Sequence, residues 1–205
     1  MLGRVIIGAL AALLALPPAA AALTVRVVDT GGHPVADAVV TFRPSTGARL
    51  ARGGGSYTMA QKGMQFHPFV LVVPVGANVS FPNYDSTKHD VYSFSPAKTF
   101  ELKLFAKDQS RSVHFDKAGV VALGCNIHDQ MTAFIVVADS AWTAKTDARG
   151  TATFADAPNA AGTVSVWHPY LRAPGNQVEK AIPAGAPGEV FKIALRPPPM
   201  PMPAY

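Results

Sequence analysis

Residues 119–137 read GVVALGCNIHDQMTAFIVV. The stretch holds the only cysteine of the chain, Cys125, with His128 three residues on and Met131 three residues after that. Runs rich in valine and isoleucine flank the trio, which predicts a strand, a short loop and a second strand. A single thiol cannot pair within its own chain. It is a bridge between copies, an inert buried residue or a ligand. Thiolate is a soft donor, imidazole is borderline, and thioether is soft and weak. The three together suit copper better than calcium or magnesium, with zinc as the residual alternative.

A blue-copper site takes two histidines and one cysteine in a near-trigonal plane, with a long axial methionine. Cys125, His128 and Met131 supply three of these four donors from one loop. The fourth has to come from another part of the fold, and His89 is the best placed. It lies in NYDSTKHDVYSFS, after one predicted strand and before the next. His33, His114 and His168 sit beside turn prolines or within strands and are not assigned to metal. His67 lies near Met59 and Met64, a grouping that raises a second, Cu(I)-type site as the lesser alternative to a strand-entry loop.

The first residues, MLGRVIIGALAALLALPPAAAALTV, place one basic residue before a short apolar run, two prolines and small residues. That order predicts a secretory signal over residues 1–22 and a mature protein in the periplasm. The run is short for a bilayer span, so no lasting membrane insertion is expected. Charged residues are only 15% of the chain, and short alternating runs end repeatedly in Gly, Pro, Asn or Asp, so the fold class is all-β. The formal charge of +5 comes from basic residues scattered singly. That is a solvated surface suited to an acidic partner and not a nucleic-acid footprint.

Along the chain, LTVRVVDTGGHPVADAVVTFR (residues 23–43) reads as two strands and a turn, and residues 44–65 read as a loop. Short strands crowd residues 66–137, and simpler strand–turn units return from residue 141. The last ten residues are proline-rich. The run PVGANVSFPNYD, then KHDVYSF, then FDKAGVVALGCNIHDQM resembles the cupredoxins, and the Cys-x-x-His-x-x-Met spacing is similar to that of the amicyanin group. The resemblance implies a Greek-key β-sandwich holding one type 1 copper ion. It makes His89 and His128 the equatorial imidazoles, Cys125 the thiolate and Met131 the axial thioether. One departure stands out: many cupredoxins have Asn after the first histidine, where this chain has Asp90. Asp90 is expected to face outward or to accept backbone N–H groups.

The outer parts, VVDTGGHPVADAVVTF and KTDARGTATFADAPNAAGTVSVWHP, resemble the carboxypeptidase regulatory-like, transthyretin-like sandwich. The implied order is residues 23–55 and 139–195 as two parts of that sandwich, 56–138 as the cupredoxin, and 196–205 as a tail. A single larger sandwich is the alternative. The chain as a whole is similar to plastocyanin-like proteins labelled methylamine utilization protein.

No nucleophile–base motif is present, and the four-ligand site that the resemblance implies has no open coordination position, so an electron carrier and not an enzyme is expected. The resemblance implies electron exchange through the edge of His128, with Asn126, Ile127, Asp129 and Gln130 forming the docking patch. The partners implied are periplasmic redox proteins, a dehydrogenase or a cytochrome. A copper carrier without redox relay, and a structural or interaction protein with a vestigial copper domain, are the alternatives.

Overall fold

The computed structural model describes residues 22–51 and 53–198. Nearly all of the expected signal segment, and the end of the proline-rich tail, lie outside the described residues. The chain begins with β1 (Leu23–Asp29) and β2 (Val39–Pro44), followed by three two-residue strands, β3 (Tyr57–Thr58), β4 (Ala60–Gln61) and β5 (Phe66–His67). The central strands are β6 (Val70–Pro74), β7 (Ala77–Pro82), β8 (His89–Ser95), β9 (Lys98–Phe105), β10 (Ser110–Phe115), β11 (Gly119–Cys125) and β12 (Ala133–Ala138). Then come β13 (Thr143–Lys145), β14 (Thr151–Phe154), β15 (Gly162–Trp167), β16 (Gln177–Ile182) and β17 (Gly188–Ile193). One 3-10 turn, Pro174–Asn176, is the only helical element among the described residues. No helix there is long and apolar enough to cross a membrane.

The central strands form two facing sheets, β10-β7-β3 and β6-β12-β11-β8-β9. Period-two alternation fills the space between them. Val79 and Phe81 point inward from β7, Val121 and Leu123 from β11, and Phe105 and Phe115 close the core. This is a two-sheet β-sandwich, the architecture expected from the sequence. Residues 44–65 are not wholly loop: Tyr57 pairs in parallel with Val79, and Ala60 pairs with His67. Strands of two residues carry no readable period, and only their partners define them. For the same reason the short β13 is silent in the sequence, as is β16, whose charged edge face hides its alternation.

The first and last strands pair with one another across the central segment. β1 lies between β14 and β17, and β2 lies between β13 and β15. Their two sheets enclose a separate core that includes Val25, Val27, Phe42, Phe154, Val164 and Val166. Gly150 lets β1 and the β13–β14 turn approach closely. Its φ is +71°, and a Cβ there would lie 2.4 Å from the carbonyl oxygen of Val27. Only glycine accepts both conditions.

A third cluster joins the two cores. Val39 of β2 and Trp167 of β15 pack on Val70 of β6, with Phe69, Phe134 and Val136 around them. The Trp167 and Phe134 rings lie 5.6 Å apart edge to face, and Phe69 stacks on Tyr170 at 6.0 Å. Arg43 and Asp139 form an ion pair of 2.8 Å beside the contact. This explains why FVLVV and AFIVV are unbroken apolar runs. Leu71, Val73, Ile135 and Val137 face the central core, while Val70, Val72, Phe134 and Val136 face the outer sandwich. A strand covered on both faces has no polar side to alternate with.

Trp167→Ala is expected to lower the unfolding free energy by about 3 kcal/mol or more, since it empties the centre of this contact. Chemical denaturation of the metal-free protein measures it. A loss below about 1 kcal/mol would show that the two sandwiches do not depend on the contact.

Candidate metal centre

β8 and β11 run antiparallel, with Gly124 opposite Tyr92 and Cys125 opposite Val91. This register puts His89, Val91 and Ser93 of β8 on the same inner face as Val121, Leu123 and Cys125 of β11. His89 and Cys125 therefore emerge side by side at one end of the sandwich. The chain leaves β11 in a tight loop, in which the N–H of Met131 bonds the carbonyl of His128 at 2.9 Å. The loop folds His128 back over the strand ends and returns Met131 to the core.

Cys125 Sγ lies 3.8 Å from His89 Nδ1 and 3.7 Å from His128 Nδ1. The three donor atoms all lie within 4.8 Å of one another. With metal–sulfur and metal–nitrogen bonds of about 2.3 and 2.0 Å at 120°, sulfur and nitrogen stand about 3.7 Å apart. The observed separations fit one ion held in that plane. His89 Nε2 lies 3.0 Å from Asp85 Oδ2, so its proton is on Nε2 and the Nδ1 lone pair faces the thiol. Two imidazole nitrogens converging on one sulfur share a single thiol proton at most, whereas a cation satisfies all three donors. Met131 is 1% exposed, packs in the same core cluster as Cys125 and lines the same shallow cleft. Two imidazoles, one thiolate and a nearby thioether at the end of a two-sheet sandwich make a type 1 copper centre.

Burial is graded across the site. His89 is 0% exposed and Cys125 4%, while His128 is half-buried. Around it Asn126, Ile127, Asp129 and Gln130 are exposed, Ile127 at 48%. Asp90 is half-buried. It lies on the outward face of β8, between the inward His89 and Val91, and its Oδ1 accepts the side-chain amide of Asn126 at 3.1 Å in place of backbone N–H groups. The backbone N–H of Asn126 bonds the Asp90 carbonyl at 3.0 Å. Asp90 thus ties the first histidine to the residue after the cysteine. Gly124 has a steric reason as well, since a Cβ there would meet the Tyr92 ring at 2.6 Å.

Asp85 was not anticipated as part of the site. Its signal was available four residues before His89, in the turn Asn83-Tyr84-Asp85, but a turn aspartate ordinarily caps its own backbone. The remaining histidines are occupied elsewhere. His33 meets Asp29, His114 meets Asn78, His67 meets the Lys62 carbonyl, and His168 accepts the N–H of Tyr170. Of the grouping that raised a second site, Met59 is fully buried while Met64 and His67 are exposed.

No protein-family model matches the chain, and no curated protein does. Among solved structures it is similar to the copper-containing nitrite reductase of Thermus scotoductus SA-01, at 26% identity and a TM-score of 0.39. That overlap covers 46% of this chain and 25% of the reductase, so the chain spans about a quarter of that protein. A purple cupredoxin from Nitrosopumilus maritimus overlaps 40% of this chain and 98% of its own, at 20% identity and a TM-score of 0.36. The reduced Cu(I) form of an amicyanin variant overlaps 48% of this chain and 97% of its own, at 24% identity and a TM-score of 0.38.

Burial holds the imidazoles of His89 and His168 below their ordinary value of 6.5, against the raising effect of Asp85 on the first and of Asp37 on the second. The unfolded chain therefore takes up protons from about pH 6.5 downward that the native state refuses. The thermal midpoint of the metal-free protein is expected to fall as pH drops from about 7.5 to about 5. A flat profile in differential scanning calorimetry would show that the native imidazoles protonate freely.

Proposed function

We propose that this protein is an exported, periplasmic electron carrier, a type 1 copper protein that relays single electrons between redox partners. The observation that carries the reading is the convergence of His89, Cys125 and His128 on one point, with His89 and Cys125 buried and His128 half-buried. When bound, copper supplies one-electron exchange between Cu(I) and Cu(II). His89 and Cys125, fixed on paired strands, hold their positions in both states. His128 provides the route outward, and exposed Asn126, Ile127, Asp129 and Gln130 frame it as a docking patch. A small patch of this kind suits brief encounters with a dehydrogenase or a cytochrome. Four protein donors leave no open position for a substrate, which supports a carrier over an enzyme. The burial of Cys125 and Met131 supports relay over hand-off of the metal.

In this reading residues 1–22 are a cleaved signal. The outer sandwich built from residues 23–55 and 139–195 is of the carboxypeptidase regulatory-like kind, and residues 56–138 are the cupredoxin. The label methylamine utilization protein, carried by the plastocyanin-like proteins that this sequence resembles, describes that resemblance and does not establish methylamine as the substrate pathway.

The oxidised copper-loaded protein is expected to show an intense visible thiolate-to-copper band that ascorbate bleaches, and Cys125→Ser is expected to abolish the band while the β-sheet circular dichroism persists. A colourless wild type, or a serine variant that keeps the band, would end the type 1 assignment. Met131→Gln is expected to keep copper and move the reduction potential, because the axial group tunes the metal and does not hold it. Voltammetry checks it, and an unchanged potential would point to a different axial donor.

A further inference from the structure

The copper-centre reading leaves one charged side chain without a role. Asp85 sits beneath the buried histidine, its side chain 13% exposed and that of His89 0%. Its Oδ2 lies 3.0 Å from His89 Nε2. The same oxygen accepts the N–H of Met64 at 3.0 Å, and Oδ1 accepts the N–H of Gly63 at 2.6 Å. Three donors therefore fix one carboxylate. The two backbone donors come from a turn closed by the Lys62 N–H on the Gln65 carbonyl at 3.0 Å. Gly63 and Met64 both adopt positive φ there, +65° and +52°.

The aspartate is anchored from its other side as well. Its own N–H bonds Asn83 Oδ1 at 2.8 Å. Asn83 is fully buried, and its amide donates to the carbonyls of Thr87 at 2.8 Å and Phe105 at 3.2 Å. A side chain that only capped its own turn would need none of this. Here a buried asparagine, a second turn and a carboxylate are all arranged around one imidazole nitrogen.

We propose that Asp85 is a positioning residue for copper, acting through His89 and held in place by the Gly63–Met64 turn. The proposal rests on the type 1 copper reading. Two consequences follow from the geometry. The carboxylate keeps the proton on Nε2, so the Nδ1 lone pair always faces Cys125, and a histidine that donates to a carboxylate is a more basic ligand. The negative charge also stands one imidazole away from the metal, where it stabilises Cu(II) over Cu(I). The N–H groups of Gly63 and Met64 draw part of that charge to themselves, so the exposed turn sets how much of it His89 receives.

The test uses the full mature chain as wild type, Asp85→Asn and Asp85→Ala, each loaded with copper and followed by visible spectrum and voltammetry. Asp85→Asn is expected to keep the visible band and to shift the preference for Cu(II) over Cu(I) about tenfold toward Cu(I), a rise of about 59 mV for one electron. Asp85→Ala, which loses all three bonds, is expected to shift further or to release copper while folded. An unchanged potential in both variants with the band intact overturns the proposal and leaves the copper reading standing. A wild type without the band overturns the copper reading itself. A nitrogen-15 spectrum of the metal-free wild type guards against variants that do not fold. His89 is expected as the Nε2–H tautomer, and the Nδ1–H tautomer overturns the proposal.

Discussion

The antiparallel register between β8 and β11 is the constraint on which the site depends. Cys125 opposes Val91, and the inward positions of both strands fall on one face. A slip by one residue on either strand would turn His89 or Cys125 to the outside. The register is enforced by what lies deeper in the same rows. Val91, Val121 and Leu123 are all buried in the central core, and exposing them would cost about 1.5–3 kcal/mol each. The donor atoms are thus positioned by hydrophobic residues that never touch the metal.

Rigidity at the strand ends is completed by polar contacts of short reach. Asp90 and Asn126 bond each other through both backbone and side chains, locking the residue after one ligand to the residue after another. Asn83, Asp85 and the Gly63–Met64 turn form a second brace on the opposite side of His89. Between them His89 is buried and bonded at Nε2, while His128, on its loop, is half-buried. A centre built this way suits a function in which the metal changes charge and its ligands do not move.

The outer sandwich bears on the same end of the problem indirectly. β6 and β12 form one margin of the central sheet, and β12 is the strand that follows Met131. Its outward face is covered by Trp167 and Val39, so the strand is clamped between two cores. Phe134, three residues after Met131, is the side chain that Trp167 meets. Packing from a distant part of the chain therefore holds the strand on which the ligand loop lands.

The sequence by itself determined the all-β class and the strand–loop–strand around Cys125, because both rest on short-range periodicity and on the chemistry of three residues close together in the chain. It also singled out His89, since the donor set demanded a second imidazole and one histidine lay between two strands. Tertiary structure alone decided that Asp90 meets the Asn126 side chain, that Asp85 holds His89, and that Trp167 docks on Phe134. Each of these joins residues whose neighbours in sequence say nothing about the partner, as a turn aspartate or a strand tryptophan reads the same whatever it meets. The two-residue strands β3 and β4 were invisible for a related reason: a pattern of period two needs more than two residues to appear, and only the strand across from each one gives it existence.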